Sequence, residues 1–195
     1  MPFEPSPPGS APDALRSHRV FFALLPDARA AAQAAQLAEQ LCRSHGLKVP
    51  WRARAERLHL TLLWLGAHAA FPARTADRAV EVAERVHLPA FRVCLDRAQS
   101  FSGRKAQPWV LLGSDASVAG VVALHQALLA ALHDDLSEGP EPAFTPHMTV
   151  LRAPQALAEQ AIAPLAWTVR EFVLLYNFVG SRGPYTVLGR WTLQR

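Results

Sequence analysis

Two short segments lying 88 positions apart share one pattern, Leu58-His59-Leu60-Thr61-Leu62 and Pro146-His147-Met148-Thr149-Val150. Side chains alternate between the two faces of a strand, so each segment, read as a strand, puts its His and Thr on one face and its apolar residues on the other. Packing does not ask for an imidazole and a hydroxyl in mid-strand twice over. A site that moves protons and holds an anion does.

The rest of the chain arranges itself around these strands. Residues 1 to 17 hold Pro2, Pro5, Pro7, Pro8 and Pro12 among Ser6, Gly9 and Ser10. Such a segment buries too little apolar surface to offset its ordering entropy, and it is expected to be a disordered tail. Folding is expected from residue 18 to residue 195. The apolar run over 20–25, ended by Pro26, predicts a buried strand, and Asp27 is placed to cap an Ala-rich helix that Gly46 closes. The first motif strand is expected over 58–65, stopped by Gly66. A helix opened by Pro72 should run to about residue 86, and a long hairpin over 90–113 should carry Gly103, Arg104 and Lys105 in its turn. The second half predicts a helix over 117–136, the second motif strand, a short helix over 155–162, and closing strands over 168–176 and 185–193 joined by a Gly180 to Gly183 turn. Helix and strand thus alternate in both halves around a central His-x-Thr strand, the pattern of an internal pseudo-repeat.

Composition bounds what such a chain does. Half of its residues are hydrophobic and 18% are charged, which is globular. No apolar run reaches the roughly 18 to 20 residues of a membrane helix, and the N-terminus lacks the basic start and apolar stretch of a signal peptide. A soluble, cytoplasmic protein without membrane attachment is expected. Cys42 and Cys94 lack metal-ligand spacing and are expected to be reduced thiols. The other histidines, 18, 45, 68, 87, 125 and 133, show no ligand spacing either, so neither a metal nor a cofactor is expected. The net charge of +4 suits a polyanionic partner, because Arg and Lys gain by neutralising phosphates.

At the paired motifs the chain resembles the two-histidine phosphoesterase superfamily, and within it the RNA 2′,3′-cyclic phosphodiesterases also called 2′-5′ RNA ligases. The resemblance spans about residues 19 to 193. It rests on Arg19-Val20-Phe21-Phe22-Ala23-Leu24, on Leu58-His59-Leu60-Thr61-Leu62 with Leu65-Gly66, on Pro146-His147-Met148-Thr149-Val150-Leu151-Arg152, and on a closing strand from Gly183 to Trp191. It departs at Asn177, where many relatives have Ser, and at Arg57, where they often have Asn. It implies an α+β fold of two pseudo-symmetric lobes in one bilobal domain, each lobe an antiparallel sheet with helices outside, and an active-site cleft between them.

The resemblance also implies a reaction: hydrolysis of the 2′,3′-cyclic phosphate at an RNA end to a 2′-phosphate, and in reverse the joining of RNA ends through a 2′-5′ linkage. Two imidazoles with ordinary pKa values near 6.5 can serve as acid and base at neutral pH. The resemblance suggests His59 as proton donor and His147 as acceptor, an order the residues leave open. Thr61 and Thr149 can donate to the nonbridging phosphate oxygens. Trp64 and Arg152 each stand five positions beyond a motif His; odd spacing points them to the opposite face of an ideal strand, so a bulge or strand end is needed to bring them to a ligand. The family places a phosphate-binding Arg at the position of Arg152, an aromatic near the base at that of Trp64, and another near the nucleobase at that of Phe22. The expected partner is RNA with a cyclic phosphate end, and the protein is expected to be a monomer.

Two other readings share these residues. A noncatalytic RNA-end binding module would hold the phosphate without turnover, although Arg or Lys would serve binding as well as the two imidazoles do. A phosphodiesterase for another cyclic phosphate or an oligoadenylate would keep the same chemistry and differ only in its cleft walls.

Overall fold

The computed structural model describes residues 17–48, 51–102, 106–133, 143–181 and 183–194. Residues 1–16 of the expected tail, the turn residues Gly103, Arg104 and Lys105, and the end of the helix expected to residue 136 lie outside the described residues. The elements in chain order are β1 (His18–Leu24), α1 (Ala28–Ser44), β2 (Trp51–Arg52), a 3-10 turn (Ala55–Arg57), β3 (Leu60–His68), α2 (Ala73–Ala83), β4 (Phe91–Ser100), β5 (Gln107–Leu112), α3 (Asp115–His133), β6 (His147–Ala153), β7 (Gln160–Val169), β8 (Glu171–Phe178) and β9 (Thr186–Thr192).

Local chemistry accounts for most of these boundaries. The Asp27 carboxylate accepts from the Ala30 N–H at 2.8 Å, satisfying one of the amides that open α1, and Ala30, Ala34, Leu37, Ala38 and Leu41 form its buried stripe. Gly46, at φ 60°, turns the chain out of the helix. In α3, Val118, Val121, Leu124 and Leu128 face the core, while the exposed side carries Ala119, Ala123 and Ala130. Those alanines make Asp115–Leu132 apolar enough, at mean hydropathy 1.5, to pass for a membrane span by length and composition. This corrects the expectation that no stretch would do so. In the fold, α3 lies against β4, β3 and α2.

The strands form one antiparallel sheet in the order β7-β4-β5-β6-β3-β1-β8-β9, with β2 paired to β6. It divides into two halves of four strands, each ending in a motif strand. The halves meet at a single pair, Leu60 opposite Met148. The two half-sheets share one core, since one continuous cluster joins Val20, Phe22, Leu60 and Leu62 to Leu95, Leu111, Met148 and Val150 and to α1, α2 and α3. Pairing the motif strands at the centre sets the two histidines beside one seam.

Two further expectations fail. Residues 155–162 form no helix, although Ala, Leu, Glu and Gln favour one there. Tertiary hydrogen bonds hold this stretch extended: Leu157 N–H donates to Ser100 Oγ at 2.9 Å, the Leu157 carbonyl accepts from Ser100 N–H at 3.0 Å, and Trp109 Nε1 donates to the Gln155 carbonyl at 2.9 Å. The chain then enters the edge strand β7, where Pro164 falls at an irregularity opposite β4, a place that tolerates a missing amide. Nor does Gly66 stop β3. It sits inside the strand at φ 116°, within an irregularity opposite β1, where only glycine is comfortable.

Candidate active site

His59 and His147 are anchored in the same way. His59 Nδ1 lies 2.8 Å from the Arg57 carbonyl, and His147 Nδ1 lies 2.8 Å from the Thr145 carbonyl, in each case two residues earlier. A carbonyl can only accept, so both Nδ1 atoms carry hydrogen and each neutral ring keeps its lone pair on Nε2. Both rings line one cleft of about 260 Å³ together with Thr61, Thr149, Trp64, Arg152, Arg19, Phe21, Arg57, Asn177 and Tyr185. Cavities of about 580 and 500 Å³ elsewhere contain neither histidine. Size alone would choose differently, but convergent titratable groups are the stronger sign of a site.

Trp64 and Arg152 reach this face because each motif strand bulges at the same place. In β3, Thr61 stands opposite Ala23 and Leu63 opposite Phe22, which leaves Leu62 over. In β6, Thr149 stands opposite Val110 and Leu151 opposite Trp109, which leaves Val150 over. One extra residue reverses the alternation beyond it. Leu62 and Val150 therefore point into the core along with Leu63 and Leu151, and Trp64 and Arg152 return to the side of the histidines. Each leftover carbonyl has a donor from outside its strand pair: His125 Nδ1 reaches Leu62 O at 2.7 Å, and Ala53 N–H reaches Val150 O at 2.9 Å.

Six of the seven residues singled out from the sequence thus share one cleft. Phe22 is the exception and a correction: it is fully buried on the helix side against Phe172 and Trp191. Its neighbour Phe21 takes the cleft position, with ring centroids 5.2 Å from His59, 6.0 Å from Trp64 and 5.4 Å from Tyr185. Both faces of β1 are buried, because Phe21 and Ala23 form a second small cluster with Val173 and Leu175. Hydrophobic alternation is therefore silent there, and only the pairing of Phe21 with Trp64 reveals which ring faces the site. Sequence reasoning also passed over Arg19, Tyr185 and Asn177 as lining residues. Arg19 could have been found by its parity with Phe21 once β1 was oriented.

Burial pushes the His59 pKa below the usual imidazole range, opposed by its hydrogen bond to the Arg57 carbonyl and reinforced by the charges of His147 and Arg57. Among the described residues, no group of three or more His, Cys, Asp or Glu side chains is placed to hold a metal ion. Arg19 and Arg152 are exposed and line the cleft. Cys42 and Cys94 are both free thiols, and burial raises the Cys42 pKa. What the cleft offers chemically is two imidazoles with defined tautomers, two hydroxyls, guanidinium groups and an aromatic wall.

A family model for the 2′-5′ RNA ligase superfamily matches residues 19–177. No curated protein sequence matches the chain significantly. Among solved structures, the chain is similar to TT0787 of Thermus thermophilus at a TM-score of 0.72 and 23% identity, covering 90% of this chain and 98% of that one. It is similar to E. coli LigT complexed with 3′-AMP at a TM-score of 0.66 and 27% identity, covering 92% and 99%. The likeness extends to Usb1 of Kluyveromyces marxianus at a TM-score of 0.52 and 12% identity, covering 90% and 99%, which concerns the fold alone.

Proposed function

The chain belongs to the 2′-5′ RNA ligase superfamily, and from that premise we propose that it is a hydrolase that opens the 2′,3′-cyclic phosphate at an RNA end to leave a 2′-phosphate. The observation that carries this reading is the matched anchoring of the two imidazoles at one cleft. One Nε2 takes a proton from water as its oxygen attacks phosphorus. The other ring gives a proton to the departing 3′ oxygen, which is otherwise a poor leaving group at neutral pH. Thr61 and Thr149 donate to the nonbridging oxygens, and Arg152 balances their charge.

We assign His59 as donor and His147 as acceptor, as the family resemblance suggests. Burial lowers the His59 pKa in the free protein, and a bound phosphate anion, which favours the charged ring, works against that shift and helps to load the proton. The exposed guanidinium groups of Arg19 and Arg152 and the rings of Phe21, Trp64 and Tyr185 suit a phosphate attached to a nucleoside. LigT has been solved with 3′-AMP and with phosphate, which supports a nucleotide end as ligand here. The same geometry run backwards is 2′-5′ ligation. We place the protein in the cytoplasm, acting as a monomer, without a metal or cofactor. The test is incubation with RNA ending in a 2′,3′-cyclic phosphate and identification of the product by phosphorus NMR. A 2′-phosphate is expected, and a 3′-phosphate or an unchanged cyclic end contradicts the proposal.

A further inference from the structure

The turn between β8 and β9 reaches the cleft through one side chain. Arg57 Nη1 donates to the carbonyls of Ser181 and Gly183, each at 2.9 Å, and Nη2 donates to Asn177 Oδ1 at 3.0 Å. The same guanidinium lies over the Tyr185 ring, 4.3 Å from its centroid. Tyr185 in turn sets its ring edge to face with His59, at a centroid distance of 5.1 Å and 84°, and with Phe21 at 5.4 Å and 89°. The main chain of Arg57 meanwhile accepts the hydrogen bond from His59 Nδ1. One residue ties the imidazole from behind and governs the ring beside it.

Apolar packing does not explain the turn. Phe178, Val179, Gly180, Ser181 and Gly183 are all exposed. A planar guanidinium can meet three oxygens at once because its N–H groups form a rigid fork, which a lysine lacks. We propose that Arg57 is a positioning residue that seats Tyr185 as the third aromatic wall of the cleft, so that Phe21, Trp64 and Tyr185 together enclose a nucleoside beside His59. This deepens the reading of the cleft as a nucleotide-end site and rests on it. The arrangement also dries the imidazole: burial is the chief cause of the low His59 pKa, and the Arg57 charge adds to it. The other charged or titratable groups on this cleft are His147, Arg19, Arg152 and Tyr185 itself.

The test compares Arg57→Lys, Tyr185→Leu and the double variant with the unaltered protein. Arg57→Lys keeps the charge and the main-chain anchor of His59 while removing the fork. The first readout is the His59 pKa in the free protein, followed by NMR of the imidazole, which needs no substrate. Arg57→Lys is expected to raise it toward the ordinary imidazole value as water reaches the ring. The second readout is kcat/KM on RNA ending in a cyclic phosphate, expected to fall about 5- to 150-fold, mostly through KM, the range for losing one base-stacking aromatic. In the Tyr185→Leu background, Arg57→Lys should add less than about two-fold, because both remove the same wall. Asn177→Ala, which removes one of the three acceptors, should move both readouts the same way by less, and serves if the lysine variant does not fold. An unmoved His59 pKa in Arg57→Lys, or losses that multiply in the double variant, overturns the proposal. Failure of the unaltered protein to open the cyclic phosphate would refute the reaction, while the NMR arm would still decide the role of Arg57.

Discussion

His125 is the residue whose substitution best separates the architecture from the chemistry. Its Nδ1 donates at 2.7 Å to the carbonyl of Leu62, the leftover residue of the β3 bulge, and its ring stacks on Phe144 with centroids 3.8 Å apart and planes 13° apart. Phe144 comes just before Pro146 and His147, so this one side chain on α3 touches the approaches to both motifs. His125→Phe keeps the stack and removes the donor. A carbonyl left without its partner costs about 1 to 3 kcal/mol. For a chain of this size each kcal/mol lowers Tm by about 2 to 4 °C, so a fall of about 2 to 12 °C is expected in thermal unfolding followed by circular dichroism. His125→Leu loses the stack as well and should cost about 0.5 to 1.5 kcal/mol more. The bulge also directs Trp64 to the cleft, so kcat/KM should fall in both variants while the pH dependence keeps its shape. A His125→Phe protein as stable as the original would show that the Leu62 carbonyl finds another donor, and that α3 does not support the bulge.

Thr61→Val and Thr149→Val each remove one hydrogen bond to a charged oxygen at nearly constant shape, worth about 1.5 to 3 kcal/mol or roughly 10- to 150-fold in rate, with the pH optimum in place. Arg152→Lys, measured alongside, should weaken inhibition by the 2′-phosphate product, because it loses the two-pronged grip. Because His59 has a lowered pKa in the free protein and must be protonated to act as donor, the basic limb of kcat/KM should lie below the ordinary imidazole value and shift upward in kcat, where the bound anion favours the charged ring. If the acid limb is the displaced one instead, His59 is the base and the assignment reverses. EDTA should leave the rate unchanged; inhibition relieved by added metal would contradict histidine acid-base catalysis without a metal.

Much of the cleft was legible because each motif encodes its own geometry. The spacing of His59 and Thr61, and of His147 and Thr149, already places each pair on one face, and odd spacing to Trp64 and Arg152 already calls for a bulge or a strand end. That the bulges fall at Leu62 and Val150 could not be read, since each depends on a partner strand and on a donor, His125 or Ala53, distant in sequence. Phe21 and Phe22 were interchangeable to a periodicity argument because both faces of β1 are buried. The stretch 155–162 read as helix because its propensity is local, whereas the bonds to Ser100 and Trp109 that extend it are not. Arg57 and Asn177 stood out only as departures from the family's usual residues; their hydrogen bond to each other emerges only when β1 is laid between β3 and β8.

The central claim is that His59 and His147 together move the protons of one reaction, and single-turnover rates on RNA with a 2′,3′-cyclic phosphate end test it most directly. His59→Ala and His147→Ala should each slow opening of the ring by about 10² to 10⁴, with circular dichroism unchanged. The double variant should be little slower than either single one, because the two rings act in one concerted transfer. A folded single variant that keeps most of its rate would contradict the paired-histidine account.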